Sequence, residues 1–509
     1  MRRAIVIGAG FGGLTAAVHL AAKGWQVTVV EAQAKVGGKL QSITEGGYTF
    51  DRGASTITMP WVFQDVYRAC GVNPDDYVRF YRVDPGAVNV FADGHRVALT
   101  SDVAELERQI AAYSPEDATQ LRAFLARAAE LYRISEEQFL HQLLLDWKAK
   151  ASPRMLRAMW AIKPWQTVQG LLEQYFKHPN TLQLFGRYAT YVGSDPRRTP
   201  AVFAMMAHLE QQLGVWAAEG GSYALVRGLE RLARELGVEI RTATRVERIV
   251  VEGGHAKGVR VRALSQTCGV RHAQETELLA ADAVIANADA LTVYRSLVEP
   301  ADRPSMTDAK IARFEPSLSG FVLLLGVRRV FKNLSHHNVF FPADYAAEFE
   351  AIFGRKAAPG DPTIYVCWNG YSEPGHAPEG GSNLFVLVNA PYNNAGWDWS
   401  AEGGAYRDLV IRLLERQLGA FAADIEVEQR YHPGMLEADT GAHRGAIYGI
   451  SSNTLGQAFF RPANRAADIA NLWFAGGSTH PGGGTPIVTL SGKLVAAAVD
   501  QLTRGGEAT

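Results

Sequence analysis

Apolar and polar positions follow their clearest pattern in residues 4–39. The run Ala4-Ile5-Val6-Ile7 has the length and branched side chains of a buried parallel strand. Gly8-Ala9-Gly10-Phe11-Gly12-Gly13 follows, and Leu14, Ala17, Val18 and Ala21 then recur at helical spacing. Gly24 suits the C′ position of that helix, and Val27-Thr28-Val29-Val30 reads as a second strand ending at Glu31 and Ala32. Further on, residues 102–142 are helical in pattern. Ser114-Pro115-Glu116-Asp117 marks one helix start there, with Ser as cap, Pro in the first turn and acids toward the positive end of the dipole. Residues 201–213 and 223–236 read as helices. Residues 238–241 and 246–251 read as strands, the latter turning back across Gly253-Gly254 onto Val259-Arg260-Val261. Residues 281–289 give one more apolar strand.

Between residues 317 and 429 the pattern changes to runs at 321–327, 363–368 and 384–388, separated by Gly, Pro and Asn clusters. These are the expected strands of a second sheet, whose apolar face would floor a pocket at a domain boundary. The fold class expected is α/β: a discontinuous Rossmann-type dinucleotide-binding domain, a β-sheet substrate domain and a helical membrane-facing insertion. The blocks expected are 1–100, 216–305 and 431–509 for the cofactor domain, 101–215 for the insertion and 306–430 for the sheet domain. A chain of 509 residues has room for such an arrangement and for a large buried cofactor.

The formal net charge of -1, from balanced acids and bases, gives no reason to expect nucleic acid as a partner. Cys70, Cys268 and Cys367 are scattered, with no CxxC pair and no zinc spacing around the histidines, so reduced thiols and no metal are expected. The first strand starts almost at Met1, leaving no space for a cleavable leader, and no apolar run approaches the ~20 residues of a membrane span. A cytoplasmic protein is expected. Residues 143–176 depart from the rest, with Trp147, Trp160 and Trp165 interleaved with Lys148, Lys150, Arg154, Arg157 and Lys163. That mixture suits a lipid headgroup layer and equally an amphipathic helix pair with a solvated basic face.

Gly8, Gly10 and Gly13 occupy the positions of a dinucleotide fingerprint, where a side chain would block the tight turn, the pyrophosphate or the helix–strand contact. Gly12 and the backbone of Ala9 belong to the same turn, and N–H groups at the helix start face the phosphates. Glu31 sits where a carboxylate accepts from ribose hydroxyls. The extension Val36-Gly37-Gly38-Lys39 is similar to the FAD-binding start of the amine oxidase and carotenoid desaturase flavoproteins, in which Arg usually stands at the Lys39 position. Near the other end, residues 471–487 combine an apolar strand, Gly476-Gly477, Thr479-His480-Pro481-Gly482 and Thr485-Pro486 opening an apolar helix. Free N–H groups around Ile487 and Val488 are expected to face the flavin pyrimidine edge, where negative charge collects on reduction.

With Gly193-Ser194-Asp195-Pro196, Gly220-Gly221, Gly445-Ala446-Ile447-Tyr448-Gly449 and Phe459-Phe460-Arg461-Pro462-Ala463-Asn464-Arg465 added, nearly the whole chain resembles the bacterial-type phytoene desaturases. The resemblance implies FAD as cofactor, a hydrophobic carotenoid precursor as substrate and peripheral association with the cytoplasmic face of the membrane. It also implies a backbone contact from Val246 to the adenine and a place for His480 beside the flavin, as a weak base or as a brace for its loop. Terminal 3,4-desaturases and terminal oxidases share this pattern. Removing a hydride from an allylic carbon asks for few charged residues and no triad, because the flavin does the hard step. Outside this class, an amine oxidase-like enzyme or a non-catalytic carrier fits the same fingerprint.

Overall fold

The computed structural model describes residues 1–143, 145, 153–264, 276–394 and 396–505. Trp147, Lys148, Lys150 and Cys268 lie outside the described residues.

Apolar residues at the chain start form the centre of a five-stranded parallel sheet. Arg3–Ile7 lies between Gln26–Val30 and Ala283–Ala286, with Leu472–Phe474 and Glu239–Arg241 at the edges. This sheet is drawn from four distant parts of the sequence, as the pattern of returning apolar strands requires. Helix Phe11–Ala21 packs on the sheet together with Tyr223–Glu235 and Thr485–Gly505. Its first-turn Gly13 is placed so that a Cβ would lie 2.1 Å from the Gly8 carbonyl oxygen, which excludes any other residue from this helix–strand contact. The hairpin Thr244–Glu252 with His255–Ala263 extends the cofactor side, and a register shift falls between Val246 and Arg248. Such a bulge twists the strand and re-aims its side chains.

The second sheet has seven strands in the order Ile425–Tyr431, Ser319–Val327, Ser382–Ala390, Ile364–Trp368, His337–Phe340, Ala87–Val90 and Arg96–Leu99. The three runs expected from residues 321–388 are its middle strands. The expected block 1–100 needs correction, because Ala87–Val90 pairs in parallel with His337–Phe340 and Arg96–Leu99 pairs with Ala87–Val90. These short segments alternate too briefly to reveal which sheet they join. Phe321, Leu323 and Leu325 turn one way onto Trp399, Tyr406 and Val410 of the helix Trp399–Leu418, while Val322 faces the interior shared with the first sheet.

The helical block is Val103–Ala111, Pro115–Ser135, Pro153–Ile162 and shorter turns around Phe124, Phe176 and Phe185. Ser114 caps the second helix through the Asp117 N–H as expected. The helix expected over 201–213 changes pitch along its length: Ala201–Met205 is 3-10, Met206–His208 is α and Leu209–Leu213 is π. That change of pitch lets Phe203, Met205, Met206 and Leu209 all face one cavity. Among the described residues no helix is long and apolar enough to cross a membrane.

Candidate functional site

One cavity of about 1100 Å³ runs from the fingerprint turn to the second sheet. At its first end the chain leaves Arg3–Ile7 into Gly8, whose φ of +94° favours glycine. The next glycines keep the wall open: a Cβ on Gly10 would lie 2.9 Å from Asn287 Oδ1, and one on Gly12 would lie 2.6 Å from Asn287 Nδ2. Asn287 follows the strand Ala283–Ala286 and donates to the Ala475 carbonyl at 3.0 Å, tying two strand ends together. Glu31, at the end of Gln26–Val30, accepts from the Ala9 and Gln33 N–H groups, each at 2.8 Å. Burial pushes its carboxyl up, and those backbone donors oppose the shift.

Gly8, Gly10, Gly12, Glu31, Ala32, Gly38, Lys39, Val246, Gly476, Gly477, Thr485, Pro486, Ile487 and Val488 all line this cavity. Two expected residues do not. The N–H of Ala9 is taken by Glu31, and Gly13 faces the Gly8 carbonyl behind the wall, so both shape the turn without bordering the space. The fit to a dinucleotide is that of a glycine cradle which side chains would fill, closed by one carboxylate.

Two cations border the cavity as well. The Lys39 ammonium donates to the carbonyls of Ala446 at 3.2 Å and Ile447 at 2.5 Å. The side chain is exposed toward the cavity; desolvation by the surrounding wall lowers its pKa, with Asp289 acting in the opposite sense. Arg461 donates to the carbonyls of Tyr448, Gly477 and Ile450 and to Ser452 Oγ, at 3.2 to 3.3 Å. It too is lowered by burial, to about 10, against the field of Asp289. Both line the cavity, and among the described residues neither makes an ion pair with a carboxylate. Arg461 stood in the sequence only as part of a motif; an apolar neighbourhood around a lone Arg was its signal.

The C-terminal helix begins at Thr485, and Pro486 in its first turn needs no N–H partner. Val488 is a correction: its N–H already bonds to the Gly484 carbonyl at 2.9 Å, closing the first helical turn, so Ile487 and Thr485 carry the N–H groups that this bond leaves open. His480 is a second correction. Its Nε2 lies 2.8 Å from the Phe139 carbonyl and 3.1 Å from that of Gln142, and the ring is not part of the cavity wall. It braces the C-terminal loop against the end of the helical block, the other of its two expected roles.

Towards the second sheet the wall becomes apolar, with Leu318, Val322, Val339, Phe385 and Leu387 beside the methionines of the irregular helix. A charged residue stands among these apolar neighbours. Arg187 borders the cavity and pairs with Glu210 at 3.0 Å, both buried, and Tyr188 and Tyr191 also donate to Glu210. Burial works against the Arg187 charge, but the two tyrosines and Glu210 outweigh it and raise its pKa. The pair is held by hydrogen bonds on both Glu210 oxygens and both terminal nitrogens of Arg187, while Arg187 Nε is buried without a partner among the described residues, an arrangement the sequence pattern does not display. Tyr365 completes the wall, bonded to Ser55 Oγ at 2.7 Å and to His337 Nδ1 at 2.8 Å. Burial pushes His337 well below the usual histidine range.

Within the helical block, Trp160 and Trp165 are 73% and 60% exposed and stack edge to face at 5.6 Å, close to exposed Leu156 and the exposed cations Arg154, Arg157 and Lys163.

The family model described as "Flavin containing amine oxidoreductase" matches residues 11–500. Among curated relatives, a 4,4'-diapolycopene oxygenase of Methylomonas sp is 33% identical over 97% of both chains. A zeta-carotene-forming phytoene desaturase of Myxococcus xanthus is 34% identical over 97% of this chain and 93% of its own. A 1-hydroxycarotenoid 3,4-desaturase of a Flavobacterium is 33% identical over 97% and 98%. Among solved structures, an oxidoreductase from Methanosarcina mazei superposes with a TM-score of 0.66 at 14% identity, covering 97% of this chain and 100% of that one. A putrescine oxidase bound to putrescine gives 0.63 at 16%, covering 99% of each. At these identities the structures establish the fold alone.

Proposed function

The chain belongs to the flavin-containing amine oxidoreductases, among relatives of the bacterial-type phytoene desaturases, and we propose that it is an FAD-dependent carotenoid desaturase. The observation that carries this reading is the continuity of one cavity from a nucleotide cradle to an apolar chamber between two sheets. A soluble amine would need an acidic or aromatic cage. Aromatic rings stand in the far chamber, Tyr191, Tyr365 and Phe385 among them, but they are interleaved with Leu318, Val322, Val339, Leu387 and methionines, an extended apolar surface that suits a long polyene.

FAD, when bound, supplies a hydride acceptor. The residues of the chain do the rest. Gly10 and Gly12 bring backbone N–H groups within reach of the diphosphate, Gly8 turns the chain with its own N–H held by the Val30 carbonyl at 2.8 Å, and the free lone pairs of Glu31 accept from ribose hydroxyls. The bulged strand at Val246 closes over the adenosine end. The open N–H groups of Thr485 and Ile487, with the helix dipole behind them, place partial positive charge at the pyrimidine edge. Leu318, Val322, Val339 and Phe385 align the hydrocarbon and exclude water. We assign residues 1–83 with 216–305 and 431–509 to the cofactor domain, and Ala87–Val90 and Arg96–Leu99 to the sheet domain.

The exposed tryptophans and cations of Pro153–Ile162 and the following turn support a finer reading, docking on an anionic membrane surface from which a water-insoluble substrate is drawn.

Pigment analysis in hosts accumulating a C40 or a C30 precursor tests the function. New conjugated double bonds in one host are expected. A product that keeps its chromophore and gains oxygen at a terminal methyl would move the protein to the oxidases of the same relatives, and unchanged pigment in both hosts would refute the reading.

A further inference from the structure

Arg461 poses an energetic question that hydrocarbon binding does not answer. Its guanidinium borders the cavity, half-buried, and its hydrogen bonds go to three backbone carbonyls and one serine hydroxyl. Carbonyl dipoles satisfy N–H groups without cancelling the charge. Asp289 is the acid whose field reaches it, and Asp289 is occupied at the start of Ala290–Leu297, where its Oδ1 accepts from the Leu291 and Thr292 N–H groups. A desolvated cation with no carboxylate partner is costly unless an anion completes the site.

The position narrows the choice of anion. Arg461 holds Gly477 with one nitrogen and the Tyr448–Ser452 strap with both, and a Cβ on Gly482 would lie 3.7 Å from its Nε. Those glycines lead directly into the helix Thr485–Gly505, whose first residues, Thr485 to Val488, border the cavity. Of the fingerprint, Gly8 and Gly10 are held against Asn287 and Ala288, and only Gly12 approaches that helix, a Cβ there lying 3.1 Å from the Val488 carbonyl oxygen. The guanidinium therefore belongs with the end of the cavity served by the C-terminal helix.

We propose that Arg461 is an electrostatic positioning residue for the flavin ring, stabilising the negative charge that its pyrimidine half acquires on reduction and so raising its potential. This rests on the flavin-site reading above. Two electrons and one hydrogen leave the substrate as hydride when a C–H bond breaks and flavin N5–H forms. The proton that completes the double bond leaves the adjacent carbon of the polyene for water, so the reduced ring would keep one negative charge. Nearby positive charge favours that state over the neutral oxidised ring. Lys39, held by the neighbouring carbonyls of Ala446 and Ile447, adds to the same field.

The test uses the purified FAD-loaded protein. The flavin is equilibrated with a reference dye under anaerobic reduction, and sulfite, which adds to the ring and leaves negative charge on its pyrimidine half, is titrated as a second probe. For Arg461→Met, the ratio of reduced to oxidised flavin at a fixed dye potential should fall at least tenfold, about 30 mV for a two-electron couple. Sulfite affinity should fall in parallel, and Arg461→Lys should restore most of both. If Arg461→Met does not retain FAD, the wild type and Arg461→Lys decide: tight sulfite binding by both supports the assignment, and absence of sulfite binding by the wild type overturns it. An Arg461→Met protein with wild-type potential and sulfite affinity overturns it, as does one that loses FAD affinity while the bound flavin keeps its potential, the pattern of a diphosphate contact. Failure of the wild type to bind FAD at all would instead remove the flavin-site reading, and this proposal with it.

Discussion

Glu31 was legible as the acidic residue ending the second strand, but its two backbone bonds were not. Because its oxygens already hold the Ala9 and Gln33 N–H groups, replacing it removes a cofactor contact and also leaves two backbone donors without their acceptor. Glu31→Ala should weaken FAD binding by about 1.5–3 kcal/mol, the loss expected for a hydrogen bond to a charged group, as measured by titration of the cofactor-free protein. Release of all flavin on denaturation is expected as well, since neither Cys nor His stands in the fingerprint as an attachment point. Lys39 carries a pH signature. Its pKa is lowered from the ordinary lysine value to about 8, so between pH 8 and about 10.4 the unfolded chain holds a proton that the folded, cofactor-free protein has lost. The unfolded state binds more protons there, and the Lys39 contribution to stability rises with pH across that window. The stability of the cofactor-free wild type relative to Lys39→Met should therefore rise as pH goes from 8 to above 10. FAD affinity should fall as pH passes 8 in the wild type and stay flat in the variant.

Elements with strong local grammar were readable in the sequence: the fingerprint strand and helix, the Ser114 cap and the Gly253-Gly254 hairpin all formed where expected. What escaped was decided by partners far along the chain. The π segment Leu209–Leu213 carries a helical pattern, and only packing against the cavity distinguishes its pitch. His480 has the same residue neighbours whether it faces a flavin or a helix end; the Phe139 carbonyl, distant in sequence, decides it. For the helix at Thr485–Gly505, Pro486→Asp places negative charge where reduced flavin is negative, and Gly484→Val forces a branched side chain into a φ of +101°. Both should slow anaerobic flavin bleaching by polyene, while FAD binding through the fingerprint is nearly retained. Wild-type rates in both would remove this helix from the flavin. For Pro153–Ile162, anionic vesicles should sediment the protein and added salt should release it. Arg154→Gln with Arg157→Gln should cost about 2 kcal/mol of that binding, roughly thirtyfold, at about 1 kcal/mol per cation.

At the scale of the whole molecule, the parallel sheet could be anticipated because apolar strands return after each excursion, yet the boundary near residue 84 could not. Ala87–Val90 joins the second sheet through a parallel pairing with His337–Phe340, a choice fixed by tertiary register. The cofactor cradle is likewise assembled from distant pieces: Gly8 to Lys39, Val246, Asn287 to Leu297, Ile447 to Gly449 and Gly476 to Val488 all border one space. FAD is then a cross-link between segments that the chain separates widely, and its binding energy adds to the stability of each of them. Hydrogen exchange followed with and without FAD should show slowed exchange in the first strand and helix, in Ala283–Ala286 and at the start of Thr485–Gly505 together, with matching dependence on FAD concentration. Glu31→Ala should shift all three to higher FAD concentration by the same factor, because they report one binding event. Protection confined to the fingerprint, with the C-terminal helix unaffected, would mean that the nucleotide half binds alone and that the flavin does not reach the chamber between the two sheets.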